Sequence, residues 1–283
     1  MPSVDSVRRR LSMSEDQLEV LRLVSNGETG SEHRETVEEL TSAGLIVGGG
    51  IHPLVADLAA AMTQPLLELW VEAMGPQGPT LSHIVVRGDE DLWYTDPWPG
   101  ERDEVVFVKD ELPQLIWVVA RLVGLRRSTP PQVARPVTAD LSTVASLMAA
   151  LSAGGGADWD DVRTVAVAKL DDLFGELSPE QREMWIAVVA TLQGTWRVTC
   201  AWGPDSPDGA HARGLAVWDC GPGGYWVRTT PAEPLRPEDI TPDTEATFTP
   251  TSAGDLWKAF AGLLPSKAEL TAAAEATAAQ RRS

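Results

Sequence analysis

Apolar residues recur at helical spacing near the start of the chain. Over residues 12–24, Leu18, Leu21 and Val24 fall on one face behind Ser14 and Gln17, which are spaced as a capping box. A second helix is predicted over about 31–41. A third is predicted to follow Pro53, over 54–62, because proline suits the start of a helix. Three short helices are therefore predicted before any strand.

Segments rich in β-branched and aromatic residues follow, separated by Gly, Pro and Asp clusters. Strands are predicted at 66–74, 82–87, 92–95 and 104–109. Four strands at such short spacing indicate an antiparallel meander. Asp110 is placed to cap a helix over 111–125. The Pro-rich stretch 129–138 then predicts a linker.

The same order of elements recurs beyond the linker. Helices are predicted over 139–150, 159–173 and 179–192, strands near 195–202, 213–219, 225–230 and 245–248, and a last helix over 252–264. Tryptophans occupy matching places in the two halves, and the pairs are Trp70 with Trp196, Trp93 with Trp226, and Trp117 with Trp257. The sequence therefore predicts an α+β fold of two pseudo-symmetric halves. Each has helices, a four-stranded antiparallel meander and a closing helix, and together they form a central sheet flanked by helical bundles.

This duplication predicts four regions in the chain. They are an N-terminal repeat (1–128), the Pro-rich linker (129–138), a C-terminal repeat (139–265) and an Ala-rich C-terminal tail (266–283). The alternative is two independent α+β domains joined by the linker.

The charge of the chain restricts its partners. With 41 acidic and 23 basic residues the net charge is −18, which repels both a nucleic acid backbone and an anionic membrane surface. We therefore expect no nucleic acid partner and no membrane insertion. Arg8, Arg9 and Arg10 are followed by no apolar segment of the kind found in a secretion signal, so we expect a cytoplasmic protein.

Residue types that carry chemistry are sparse. The four histidines and two cysteines form no His-x-x-x-His or Cys-x-x-Cys spacing, so we expect no metal, no cofactor and no catalytic residues. An unrecognised hydrolase is an alternative, in which Cys200 or Cys220 would meet His211 in space.

One local pattern favours a different class of protein. Residues 35–51 look like the second half of a winged-helix domain, where a helix ends in Gly-Leu-Ile and leads to a small hairpin. The helix carries Glu38 and Glu39 where a DNA-reading helix carries Arg, Asn or Gln. A winged-helix-containing transcriptional regulator is thus a second alternative.

The later strands contain tryptophans of two kinds. Trp196 and Trp202 alternate with Val198 and Cys200 along one face, which is typical of a core strand. Trp218 shares a face with Ala216, and Trp226 lies beside Arg228. Large aromatic residues on such a mixed face are candidate contacts for a partner.

Two sets of segments carry a resemblance to a known family. The first is Leu-Thr-Ser-Ala-Gly-Leu-Ile-Val-Gly-Gly-Gly-Ile-His-Pro at 40–53, followed by 58–65 and 67–69. The second is Arg-Gly-Leu-Ala-Val-Trp-Asp at 213–219, followed by 224–227 and 252–264. These segments resemble the EspG family of chaperones, which serve type VII (ESX) secretion in actinobacteria. With the duplication, the resemblance covers nearly the whole chain.

The resemblance implies a non-catalytic chaperone that binds the apolar helical tip of a PE/PPE-type substrate pair and keeps it soluble for export. It places the client groove between the sheet and the C-terminal helical bundle. Met184 and Trp185 therefore join Trp218, Trp226 and Arg228 as candidate partner-binding residues. We expect a monomer or a weak homodimer.

Overall fold

A computed structural model describes residues 1–26, 28, 30–97, 104–130, 134–152, 159–174, 178–203, 211–229 and 241–280. Within these ranges the chain forms an eleven-stranded antiparallel sheet, one two-stranded hairpin and ten α-helices. Residues 131–133 of the predicted linker and 281–283 of the predicted tail lie outside the described residues.

The first part of the chain supplies twelve of these elements before the Pro-rich segment. They are β1 (Ser3–Asp5), β2 (Arg10–Met13), α1 (Glu15–Asn26), α2 (Arg34–Ser42), β3 (Ile46–Val47), β4 (Gly50–Ile51), α3 (Pro53–Thr63), β5 (Leu67–Gly75), β6 (Gly78–Arg87), β7 (Asp91–Asp96), β8 (Val105–Glu111) and α4 (Leu115–Leu122), where β3 and β4 form the small separate hairpin.

The second part contains the remaining elements. They are β9 (Val137–Asp140), α5 (Leu141–Ser152), α6 (Trp159–Ala168), α7 (Leu170–Phe174), α8 (Pro179–Thr191), β10 (Gly194–Trp202), β11 (His211–Asp219), β12 (Tyr225–Thr229), β13 (Glu245–Thr251), α9 (Ala253–Leu263) and α10 (Lys267–Gln280).

The predicted capping box begins α1. The Gln17 N–H donates to Ser14 Oγ at 3.1 Å, and the Ser14 N–H donates to Gln17 Oε1 at 2.9 Å. Two of the N–H groups that a helix start leaves unpaired are thus satisfied, and the chain turns from β2 into the helix at this point.

One sheet runs through both halves of the chain, in the order β1-β2-β8-β7-β6-β5-β10-β11-β12-β13-β9. Its centre is the antiparallel ladder between β5 and β10, which extends from the Leu67–Trp202 pair to the Met74–Thr195 pair. On one side of this ladder the strands follow in the order β5, β6, β7, β8, and on the other side in the order β10, β11, β12, β13, so each meander keeps its chain order. The two predicted meanders are therefore present, and the alternative of two independent domains does not hold because the ladder joins them.

Helices cover the two faces of the sheet differently. On one face α4 and α9 pack against the central strands, burying Val71 and Val198 beneath Leu256 and Phe260. On the other face α1 to α3 cover the β6–β8 end, and α5 to α8 cover the β11–β13 end. On that second face the middle of the sheet lies between the two bundles, and its side chains are half-buried or exposed.

The faces of the strands correct one predicted equivalence. Trp70 pairs with Thr199, whereas Trp196 lies on the opposite face with Val198, which pairs with Val71. A shared fold unit must keep each side chain on its own face, so the matching of Trp70 with Trp196 is wrong. Trp93 and Trp226 do lie on the same, bundle-covered face.

Three strands and some helix boundaries differ from the prediction. β1, β2 and β9 were missed, and β9 begins inside the predicted linker. The helix predicted over 111–125 is a 3-10 turn at Leu112–Gln114 followed by α4, and the helix predicted over 159–173 is divided into α6 and α7. The missed strands have three or four residues in register with a neighbour, and so short a pairing leaves almost no periodic signal in the sequence.

Candidate functional site

A groove of about 610 Å³ lies between the uncovered middle of the sheet and helix α5. We call it the C-terminal groove. Its wall includes Val144 and Met148 of α5, and its floor includes Leu81, Arg197, Ala216 and Arg228. The groove exists because α5 to α8 stop short of the central ladder, so strands whose other face is buried by α4 and α9 remain open here.

Strand register arranges the floor as a row across five strands. Leu81 pairs with Glu72, Glu72 with Arg197, Arg197 with Ala216, and Ala216 with Arg228. These residues share one face because directly opposed residues of antiparallel strands point to the same side. The row combines an exposed apolar residue at one end with two cations at the other.

Leu81 is the exposed apolar residue of this row, with 62% of its surface accessible. The predicted strand began at residue 82, so sequence analysis missed it. In the structure β6 begins at Gly78, next to the Gly75–Gly78 turn. Because side chains alternate along a strand, extending the predicted strand back from His83 would have placed Leu81 on the same face as His83.

The two arginines of the floor differ in burial, because Arg197 is exposed and Arg228 is not. Arg228 is half-buried, and desolvation lowers the pKa of its guanidinium, with a further lowering from the positive charge of Arg197. In the described part of the chain, neither Arg197 nor Arg228 has a hydrogen bond or ion pair from its guanidinium. Arg126 and Arg213, by contrast, pair with Asp219 and Glu269.

The three candidate tryptophans lie in the core. Trp185, Trp218 and Trp226 are 0%, 4% and 3% exposed in the cluster beneath α5 to α8. The Trp185 ring lies 6.0 Å from that of Trp218 and 5.5 Å from that of Phe248. Strand alternation does put Trp218 and Trp226 on the groove side of the sheet, but the C-terminal bundle covers that part of it.

The other candidates are placed differently. Met184 is half-buried and packs against the same core cluster. Arg228 lines the C-terminal groove, where the edge of Trp218 also contributes. Of the five predicted partner-binding residues, Arg228 and Trp218 line this groove, and Arg228 is the one that carries a charge.

A second groove of about 550 Å³ lies beside the N-terminal bundle. We call it the N-terminal groove, and it is lined by Glu15, Glu19 and Arg22 of α1, Met62 of α3 and the sheet residue Leu81. Leu81 thus belongs to both grooves. The acidic side chains on α1 and the salt bridge between Arg22 and Glu19, at 3.2 Å, give this groove the opposite electrostatic character.

The cysteines do not have the setting of a nucleophile. Cys200 and Cys220 are both fully buried, and burial raises the pKa of each thiol to about 12. A thiol with such a pKa carries almost no thiolate at neutral pH, and thiolate is the reactive species. His211 stacks on Trp202 with ring centroids 5.6 Å apart. These placements remove the basis of the hydrolase alternative.

We expect both cysteines to be unreactive in the folded protein. Ellman's reagent at pH 8 should titrate no thiol on the timescale of minutes under native conditions, and two thiols in 6 M guanidinium chloride. Because the folded-state pKa is raised above that of an unfolded cysteine, the stability contributed by the neutral thiols is complete below about pH 8.5 and is lost as the pH rises toward 12. A thiol that reacts fully in the native protein would contradict this burial.

The winged-helix alternative is tested by the helix before the small hairpin. The hairpin predicted after Gly44-Leu-Ile is present as β3 and β4. Helix α2, however, exposes Glu35, Glu38 and Glu39, and Leu40 and Leu45 anchor it in the N-terminal bundle. Carboxylates on that surface oppose phosphate binding, so the local shape is present without the charge of a DNA reader.

Two further classes of site are not found in the described residues. No group of three or more His, Cys, Asp or Glu side chains is arranged to hold a metal ion. No helix within the described ranges combines the length and apolar character needed to cross a membrane.

The described part of the chain thus forms a sheet with one face buried by helices and the other open between two helical bundles. Its fold is similar to that of the type VII secretion system chaperone EspG5 of Mycobacterium tuberculosis, solved in complex with the PE25–PPE41 dimer, with a TM-score of 0.54 over 90% of this chain and 97% of that chain. The two sequences are 12% identical over the match, so the similarity is one of fold. No family model and no curated protein matches the sequence. The resemblance to the EspG family is thus confirmed at the level of the fold.

Proposed function

We propose that this protein is a cytoplasmic chaperone that binds the apolar helical tip of a PE/PPE-like type VII secretion substrate pair and keeps it soluble for export. The observation that carries the proposal is the C-terminal groove, in which exposed Leu81 faces an apolar wall from α5. The same fold in EspG5 was solved together with a PE–PPE dimer.

The physical character of the groove suits an apolar client. Leu81 is a large apolar side chain left largely in water, and Met148 and Val144 border the same space. Covering them with a partner's apolar side chains contributes about 25 cal/mol per Å² of apolar surface removed from water. A net charge of −18 opposes the association of such a surface with that of another copy.

The proposal also covers the internal duplication of the chain and its oligomeric state. The mirrored order of the two meanders and the equivalent faces of Trp93 and Trp226 support an internal duplication, with boundaries near the predicted repeats. The chain then acts as a monomer or weak homodimer without catalytic residues, in an actinobacterial cytoplasm.

Recovery of the natural client tests the function. The tagged protein, expressed at its normal level in its own host, should co-purify with a stoichiometric pair of helical proteins of the PE/PPE class identified by mass spectrometry. A Leu81→Asp variant, prepared in parallel, should lose that pair because a charge would have to be desolvated at the contact. Stoichiometric recovery of chromosomal DNA or of a metabolic enzyme, with no secreted helical protein, would contradict the proposal.

A further inference from the structure

We propose that Arg197 and Arg228 form a carboxylate-binding subsite on the floor of the C-terminal groove. Its occupant is an Asp or Glu side chain of the client's helical tip, placed beside the apolar residues that contact Leu81. This inference rests on the proposed function, because it specifies the chemistry that the same groove recognises in its client.

The first argument is that the half-buried guanidinium of Arg228 has no counter-charge among the described residues. Removing a guanidinium from water is costly unless a counter-charge or hydrogen-bond acceptors replace the water. Arg228 is half-buried beside a second cation, and its pKa is lowered by both effects. Acidic residues outnumber basic ones by 41 to 23 in this chain, yet within the described ranges none of them pairs with Arg197 or Arg228.

The second argument is the space between the two arginines. Arg197 and Arg228 lie on β10 and β12, and the small residue Ala216 of β11 separates them in the register. Adjacent strands are about 4.8 Å apart, so the two Cα atoms are about 10 Å apart across an alanine. Two guanidinium groups rising on either side can donate to the two oxygens of one carboxylate.

The third argument selects a carboxylate over a phosphate. Glu72 is the neighbour of Arg197 on its other side, in the β5–β10 register, and it is exposed. A carboxylate at that position disfavours a dianion more strongly than a monoanion. Helix α5 contributes the apolar side chains Val144 and Met148 to the same groove, and these suit an acid carried by an apolar segment.

The span of the row indicates a two-helix tip. Leu81 and Arg228 are separated by four strand spacings, which is about 19 Å between Cα atoms. Two packed helices have axes about 8–10 Å apart and diameters of about 10–12 Å, so their joined ends are about 20 Å across. Such a tip can place an apolar residue on Leu81 and an acid on the arginine pair together.

The subsite can be tested without the client. Sodium propionate titrated into ¹⁵N-labelled full-length protein, against sodium chloride at equal ionic strength, should shift the Nε–Hε resonance of Arg228 saturably, with an apparent Kd in the millimolar range. Arg197→Gln should weaken this response of Arg228 at least fivefold, and Arg228→Gln should weaken the corresponding shift of the Arg197 Nε–Hε resonance by a similar factor. Arg22→Gln, which removes the same charge from the N-terminal groove, should leave both shifts unchanged. An equal response to chloride, a stronger response to inorganic phosphate, or no saturable shift would overturn the assignment.

Measurements of Tm distinguish an arginine that binds the client from one that stabilises the fold. The Tm of Arg228→Gln should equal or exceed that of the parent protein, since the substitution removes an unpaired charge, while Arg126→Gln should lower it because Arg126 pairs with Asp219 at 2.7 Å. A lower Tm for Arg228→Gln together with an unchanged propionate response would assign the arginine to the fold and overturn the proposal.

The two proposals fail in different ways. If a PE/PPE-like pair co-purifies but propionate does not bind, the chaperone function stands and the carboxylate subsite falls. If propionate binds and no such pair is recovered, the function falls while the anion site remains. With a recovered client, Arg228→Gln should weaken binding roughly tenfold or more, as the loss of a charge-assisted hydrogen bond predicts.

Discussion

Replacing Trp185 with alanine is expected to cost about 3–5 kcal/mol of folding free energy, because a fully buried indole leaves a cavity when it is removed. Its ring is the centre of an aromatic cluster with Phe174, Trp218 and Phe248, at centroid distances of 4.6 to 6.0 Å. The cluster holds α8 and α7 against the sheet, so the whole C-terminal bundle depends on it. Urea denaturation followed by circular dichroism measures the loss.

Two matched variants give this prediction its controls. Trp117→Ala removes an indole that is 64% exposed, so it should cost about 1 kcal/mol, mainly from its edge contact with Trp257. Trp185→Phe should cost less than Trp185→Ala, because the Trp185 Nε1–H has no hydrogen-bond partner in the described structure and phenylalanine keeps most of the ring.

The same variants distinguish a role of Trp185 in the core from its predicted role in partner binding. A core residue affects client binding only through the folded fraction, so the folded Trp185→Ala protein should bind its client with unchanged affinity. Unaltered stability combined with lost binding would instead restore the interpretation of Trp185 as a contact residue.

Leu81→Asp is expected to weaken client binding by roughly thirtyfold or more while leaving the fold intact. Leu81 is 62% exposed at the place where both grooves meet, and a central apolar residue of an interface commonly contributes about 2 kcal/mol or more. An exposed strand position tolerates the change in the free protein. Isothermal titration calorimetry with the recovered client measures the binding loss, and thermal unfolding checks the fold.

Val47→Asp is the matched control for this experiment. Val47 is 60% exposed on the small β3–β4 hairpin, so the substitution has the same chemistry and similar exposure at a site outside both grooves. Client binding should be unchanged. If Val47→Asp abolished binding and Leu81→Asp did not, the contact surface would lie on the winged-helix-like hairpin instead of the central sheet.

Much of the fold follows from local sequence patterns, and particular residues show why. The Ser14–Gln17 spacing determined where α1 begins, because both hydrogen bonds of a capping box lie within four residues. Alternation in β10 put Trp196 and Trp202 in the core with Val198, as predicted. The strands of both meanders are present near their predicted positions because their periodicity and turns are local signals.

Other features depend on contacts between distant segments. The short strands β2 and β9 form because each pairs with the otherwise free edge of a longer strand, β8 and β13 respectively. A pattern of four residues contains no information about whether such a partner is present. The burial of Trp218 and Trp226 shows the same limit. Alternation places both on the groove side of the sheet, but whether a helix or water lies above them depends on where α5 to α8 pack.

By itself, then, the sequence determined the α+β class, the two meanders, the acidic character that disfavours nucleic acid, and the fold resemblance to the EspG chaperones. The tertiary structure alone decided which face of the central sheet stays open, and so that Leu81, Arg197 and Arg228 form a groove while the tryptophans form a core. The physical reason is that periodicity specifies the face to which a side chain points, whereas its exposure depends on the packing of helices that lie far away in the chain.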